Sequence, residues 1–237
     1  MKEKKKINLN YTGVRVVPNK MHVDVVNWML HLQRYVFALK YCVNRKVLDV
    51  ACGSGYGVSL LSSVAKNVKG IDIDKKTIEW AKTNNYFYSP VDFKISNIEK
   101  EKIDDKFDCI VSFETIEHLK KPKFLLNNIK DCLNDYGCLI FSIPINEPHN
   151  EFHEKNYTWE SIDDLIKNSF SPYIEWYSQT IEGIFKGKKK NAFFVIGVAY
   201  KNLPVFLKRL ERKFYETGRF LKKKTAERLR IIPKSRW

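Results

Sequence analysis

Val47-Leu48-Asp49-Val50-Ala51-Cys52-Gly53-Ser54-Gly55-Tyr56-Gly57 is an apolar run that ends in three alternating glycines. Val47, Leu48, Val50 and Ala51 predict a parallel strand buried on both faces. Gly53, Gly55 and Gly57 let the backbone take positive φ and approach a ligand closely. The run after them is amphipathic, so the stretch reads strand, turn, helix. In an open α/β sheet a ligand sits beyond the carboxyl end of such a strand. Two nucleotide readings fail on the residues themselves. A P-loop needs Lys and then Ser or Thr after its last glycine, and Val58-Ser59 follows Gly57. The dinucleotide fingerprint is G-x-G-x-x-G, and this turn is G-x-G-x-G.

A chain of 237 residues, 44% hydrophobic, can bury one good core. Its five cysteines (Cys42, Cys52, Cys109, Cys132, Cys138) are scattered and contain no C-x-x-C. That excludes a disulfide framework or a zinc knuckle and points to a reducing compartment, with a cytoplasmic location as the expectation. The longest apolar run, Ala192 to Tyr200, is too short to cross a bilayer. The net charge of +15 is uneven: after residue 200 there are thirteen Lys or Arg against three Asp or Glu, which is +10 of the total. Six of the nine arginines lie there too.

Taken in order, residues 1–20 read as irregular. From Met21 to about Tyr41, Val25, Trp28, Met29, Leu32, Tyr35, Val36 and Leu39 recur at helical spacing, with His31 and Arg34 near one face. A helix over 58–65 follows the glycine turn, and Asn67 to Asp72 reads as a second strand ending in an acid. Lys75 to Asn84 reads as a helix. Val91 to Ile95 alternates as a third strand with Ser96-Asn97-Ile98 at its end, and Phe107 to Phe113 is a fourth. Glu114, Glu117 and His118 come next, at i, i+3 and i+4. On one side of a helical turn they would offer a hard divalent cation such as Mg²⁺ two carboxylates and an imidazole. The other reading is a loop held by hydrogen bonds. Pro122 opens a helix that Tyr136-Gly137 ends, and Cys138 to Ile143 is the fifth strand. The loop 145–157 carries His149 and His153 on the same sheet edge as the glycine turn and Glu114. One of them could take a proton or add a metal ligand; alternatively both only order the loop. Thr158 caps a helix over 159–168. Tyr173 to Thr180 is strand six and Ala192 to Tyr200 the last strand. From Pro204, Leu203, Leu207, Leu210, Phe214 and Leu221 form a narrow stripe in a basic amphipathic segment. It fits an anionic membrane surface, an RNA backbone, or packing on its own domain with a solvated basic face.

The spacing Asp49-x-x-x-Gly53-x-Gly55 resembles motif I of the class I S-adenosylmethionine (SAM) dependent methyltransferases. Phe113-Glu114-Thr115-Ile116-Glu117-His118-Leu119 is similar to motif IV of a subgroup that includes ubiquinone-biosynthesis O-methyltransferases and small-RNA 3′-end methyltransferases. The resemblance covers residues 21–200 and implies a Rossmann-like, seven-stranded α/β sheet with helices on both faces, followed by a basic helical extension over 201–237. It implies SAM as cofactor, met by Asp49, Ala51, Gly53, Gly55, Asp72, Ile73, Asn97, Ile98 and Phe113, with Arg34 on its carboxylate. An acid about twenty residues past the glycines accepts from a ribose diol. Asp72 is the first choice and Asp74 the second; both acids capping the next helix is a further alternative. Arg34 could instead make an ordinary surface ion pair. His153, His149 and Glu114 are the catalytic candidates, and Glu114, Glu117, His118 and His153 the metal candidates. The Asn/Asp-Pro-Pro-Tyr/Phe signature of many amino-group methyltransferases is absent after strand four. With the E-x-x-E-H cluster, that points to a hydroxyl acceptor; a saccharide, glycan or lipid-linked hydroxyl is the first choice, compatible with His149, His153 and the basic tail, with the enzyme cytoplasmic or peripheral at a membrane. An RNA 2′-O-methyltransferase and a non-catalytic SAM-binding partner subunit are the competing readings.

Overall fold

The computed structural model describes residues 25–145 and 150–202. Residues 1–24, 146–149 and 203–237 lie outside it, and with them the expectations for the N-terminal segment, for His149 and for the basic extension. The described elements are α1 (Val25–Cys42), β1 (Lys46–Val50), α2 (Tyr56–Ser62), β2 (Asn67–Asp72), α3 (Lys75–Asn84), β3 (Val91–Ile95) and β4 (Phe107–Phe113). They continue with α4 (Pro122–Cys132), β5 (Leu133–Pro144), α5 (Trp159–Ser169), β6 (Ile174–Thr180), β7 (Gly183–Lys186) and β8 (Phe194–Tyr200). A single 3₁₀ turn, Ile116–His118, follows β4. Among the described residues no helix is long and apolar enough to cross a membrane.

All eight strands form one sheet in the order β3-β2-β1-β4-β5-β8-β6-β7. β1 pairs in parallel with β2 on one side and β4 on the other. The strand order reverses between them, and that switch point opens a crevice at the carboxyl ends of β1 and β4. β8 runs antiparallel to both β5 and β6. β1 shows why its sequence is nearly all apolar. Leu48 and Val50 enter one core with Leu125, Ile129, Ile162 and Ile166 of α4 and α5. Val47 enters the other with Tyr35, Ala38, Leu61 and Ile78 of α1, α2 and α3. A strand covered on both faces needs apolar residues at both parities.

Several element boundaries differ from the sequence reading. The sheet has eight strands, not seven, because Gly183–Lys186 adds β7 as an edge strand on β6. Four residues, none buried, carry too little pattern to register as a strand. β5 starts at Leu133, which pairs with Phe107, so α4 ends before the Tyr136-Gly137 stop. α2 begins at Tyr56 and ends at Ser62, slightly earlier than read.

Candidate functional site

The crevice holds a cavity of about 370 Å³, within the usual range for a small-molecule site. It is lined from β1 by Ala51, Cys52 and Gly53, from β2 by Asp72 and Ile73, from the end of β3 by Ser96 to Glu99, and from β4 by Phe113 and Glu114. His31, Tyr35, Tyr56, His118 and Leu119 also line it.

The glycine turn shapes one wall. Gly55 has φ 77°, and a Cβ there would sit 2.7 Å from the Cβ of Ala81, so the position excludes any side chain. Gly53 N–H donates to Asp72 Oδ2 at 2.9 Å, and Asp74 N–H donates to Oδ1 at 2.9 Å. The Asp72 carboxylate is thereby fixed at the cavity wall while each oxygen keeps a further lone pair, as acceptance from a ribose diol requires. Asp74 does the other job: its side chain accepts from Lys76 N–H at 2.9 Å and Thr77 Oγ1 at 2.6 Å and caps α3. The two acids thus differ in place: Asp72 lines the cavity and Asp74 caps the helix. Ala51, Gly53, Ile73, Asn97, Ile98 and Phe113 also line the cavity. Asn97 Oδ1 accepts from Glu99 N–H at 3.0 Å, which closes the turn after β3.

Three residues expected on the cofactor are placed behind the lining instead. Gly55 acts through the packing just described. Asp49 is fully buried on the α1 side of β1, where Tyr35 Oη donates to it at 3.1 Å, and burial pushes its carboxyl up to about 8. Arg34 is also fully buried. Its guanidinium pairs with the Glu114 carboxylate, donates to Gln179 Oε1 at 3.0 Å, and lies 4.4 Å over the Phe194 ring. Gln179 Nε2 in turn donates to Leu30 O at 2.8 Å and Gln33 Oε1 at 3.0 Å. Arg34 thus joins α1, β6 and the end of β4, rather than presenting a free cation to a ligand carboxylate or a surface ion pair. Burial lowers its pKa to about 10 and leaves it charged at neutral pH.

Glu114 parts from Glu117 for a backbone reason. It takes φ 47°, in the left-handed region, so its side chain turns toward α1. There His31 Nε2 lies 3.3 Å from Glu114 Oε1, and His31 Nδ1 lies 3.0 Å from Tyr56 Oη. Burial and the Arg34 cation depress the His31 pKa to about 2, so the ring is neutral.

The other half of the expected cluster does assemble. One ligating atom from each of Glu117, His118 and His153 lies within 4.8 Å of the others. The two imidazole rings meet edge to face at 4.8 Å. His118 Nδ1 is 2.8 Å from Phe152 O; a carbonyl only accepts, so Nδ1 carries the proton and Nε2 is the basic nitrogen. Asn150 Nδ2 lies 3.3 Å from His153 Nε2. Burial, with His118 beside it, lowers the His153 pKa. Glu114 is not part of this group, which corrects the four-residue metal set. One carboxylate and two imidazoles are a poor match to Mg²⁺, which prefers oxygen donors and octahedral geometry. The donor set gives Mg²⁺ no support.

From sequence His31 has no assigned role, Tyr35 reads only as an apolar position of the first helix, and Tyr56 only as part of the glycine turn. Their signal was present: His31, Arg34 and Tyr35 stand at i, i+3 and i+4, and Tyr56 sits between two glycines of the turn.

A family model described as a methyltransferase domain matches residues 31–180. A protein of Mycolicibacterium smegmatis named "Probable S-adenosylmethionine-dependent methyltransferase" is 27% identical over 171 residues, covering 68% of this chain and 65% of that protein. The ubiquinone biosynthesis O-methyltransferase of Pelagibacter ubique is 31% identical over 104 residues, 42% of each chain. The chain therefore spans less than two thirds of these relatives. The N-methyltransferase NodS of Bradyrhizobium japonicum, solved with S-adenosyl-L-homocysteine (SAH), superimposes with a TM-score of 0.61 at 16% identity, covering 77% of this chain and 91% of that one. At that identity the likeness is one of fold.

Proposed function

From the chain's membership of the class I SAM-dependent methyltransferases, we propose that it methylates a hydroxyl, on a saccharide or lipid-linked glycan, with His118 taking the acceptor proton. The residues present fit the cofactor. Asp72 keeps acceptor capacity at a fixed position, Gly53 lets the backbone come close, and Ile73, Ile98, Phe113 and Leu119 give apolar walls. When bound, SAM supplies an electrophilic methyl on a sulfonium, so the hard part of the chemistry is the cofactor's. What is left to the protein is to hold the acceptor in line and to remove its proton.

The observation that carries the reading is the orientation of His118. Its Nδ1–H is held by the Phe152 carbonyl, which leaves the lone pair on Nε2, and His118 is one of the residues that line the cavity. This is the logic by which a second group fixes a catalytic histidine's tautomer. His153 packs against the ring and limits how it turns. A hydroxyl must lose a proton as its oxygen is methylated, and an imidazole nitrogen is a base suited to take it. The Asn/Asp-Pro-Pro signature after β4 that would suit an amine is missing.

The test is His118→Gln, assayed for methyl transfer and for SAM binding. We expect the turnover to fall by about 10²–10⁴-fold, the usual contribution of a positioned base. SAM affinity should stay within about twofold, because the base does not hold the cofactor. Unchanged turnover would refute the assignment. His153→Ala should cost less, about tenfold, since it acts through His118. Methyl transfer should persist in a chelator; loss on chelation with recovery on Mg²⁺ would reinstate the metal.

A further inference from the structure

The hydrogen-bond directions along Arg34–Glu114–His31–Tyr56 are fixed by chemistry. A guanidinium only donates, so the Glu114 carboxylate paired with it is an ionised acceptor. A ring nitrogen at 3.3 Å from that carboxylate must carry a proton, because two facing lone pairs repel; in His31 this nitrogen is Nε2. The neutral ring then has its lone pair on Nδ1, which can only accept. Tyr56 Oη, 3.0 Å away, must donate its single proton there. Tyr56 lines the cavity, and its hydroxyl, with the proton committed to His31, has only oxygen lone pairs left for a further partner. The ring is held by edge contacts with Trp28 at 4.8 Å and Tyr35 at 5.3 Å, so the oxygen has a fixed place. A fixed acceptor on an electron-rich ring suits a cation that offers no N–H or O–H of its own.

We propose that Tyr56 is a specificity residue for the cofactor's charge: its oxygen, aimed by His31, meets the sulfonium group and favours SAM over the neutral thioether SAH. The inference rests on the methyltransferase reading and deepens it. The consequence is a site that holds the methyl donor and releases the demethylated product. His31, Glu114 and Arg34 act through Tyr56 as positioning residues.

The test is calorimetric binding of SAM and SAH to the full chain and to Tyr56→Phe, which keeps the ring and removes the oxygen. We expect the SAM dissociation constant to rise about fivefold to tenfold, as for a charge-oriented aromatic contact. The SAH constant should stay within about twofold, since its sulfur carries no charge. His31→Ala leaves the hydroxyl free to rotate and should reduce the SAM:SAH preference by about threefold or more. Equal weakening of both ligands, or of neither, in Tyr56→Phe overturns the inference and leaves the proposed function standing. A wild-type chain that bound neither SAM nor SAH would contradict the proposed function itself. A preference unchanged in His31→Ala would overturn the relay.

Discussion

Glu114 joins the interior to the cavity: its left-handed backbone turns one carboxylate onto both a fully buried guanidinium and the His31 ring. The two partners are not equal in environment. The Glu114 side chain is 26% exposed and Arg34 is 0% exposed. Removing the carboxylate strands a buried cation, whereas removing the cation leaves an anion that water can still reach. Glu114→Gln should therefore destabilise the fold by about 3–5 kcal/mol, and Arg34→Met by distinctly less. Urea titration of both variants checks the order, and the reverse order would contradict it. His31 gives a pH signature. Its folded pKa is about 2 against 6.5 for the free group, so the unfolded chain binds the proton better. The stability this contributes is complete above pH 6.5 and falls as pH drops toward 2, at up to about 1.4 kcal/mol per unit. Asp49, raised from 3.8 to about 8, has the opposite slope across the same window, losing stability as pH rises. The measurable quantity is thus the difference between wild type and His31→Asn from pH 7 to 4. It should change steadily with pH; a constant difference would refute the neutral assignment. At this scale the positions of Asp72 at a strand end and Asp74 at a helix N-cap were legible, because both are local events. Arg34 was misread because its partners, Glu114 and Gln179, are 80 and 145 residues away. Local spacing holds no record of them.

The elements were legible in proportion to the length of their pattern. α5 carries its start signal in full: Thr158 and Ser161 form a reciprocal capping box, as the N-cap assignment required. β1 and β4 were legible because burial on both faces forces an unbroken apolar run. β7 was not, since an exposed four-residue edge strand needs only a neighbour to pair with. Some of the element scale is carried by glycine in ways a pattern does not reveal. Gly57 lies within α2, where alanine would ordinarily help the helix by about 1 kcal/mol. Here a Cβ would come 2.0 Å from the Tyr35 ring, which is wedged between Tyr56 and Phe113. Gly57→Ala should therefore destabilise by about 1–3 kcal/mol despite its helix propensity. Gly187 is the contrasting case, with open space around it and φ 88°. Gly187→Ala should cost only the backbone term of about 1–2 kcal/mol and leave SAM affinity unchanged. Equilibrium denaturation with a parallel binding assay separates the two. A Gly57→Ala protein as stable as wild type would show that α1 does not press on the turn as described.

Over the whole molecule the sheet order decides where chemistry can occur. The reversal between β1 and β4 places the glycine turn, Asp72 and the Glu114–His118 segment around one crevice, from stretches spread across the chain. That convergence was foreseeable from the order of strands and helices. The separation of the cluster into two halves was not, because it depends on one backbone angle at Glu114. Two proposed roles meet at this one cavity. Arg34, Glu114, His31 and Tyr56 form the contact chain proposed to orient an acceptor toward the cofactor. His118, held by the Phe152 carbonyl, is the base proposed to take the hydroxyl proton. The measurement that tests this most directly is transfer from SAM carrying an isotope-labelled methyl into a source-cell extract. The products are separated into glycan, lipid, RNA and small-molecule fractions, and the bond to the labelled carbon is identified by magnetic resonance. The account predicts label bound to oxygen in the glycan or lipid fraction, and its loss when His118→Gln replaces wild type. Label bound to nitrogen, or no label from a protein that binds SAM, would contradict it.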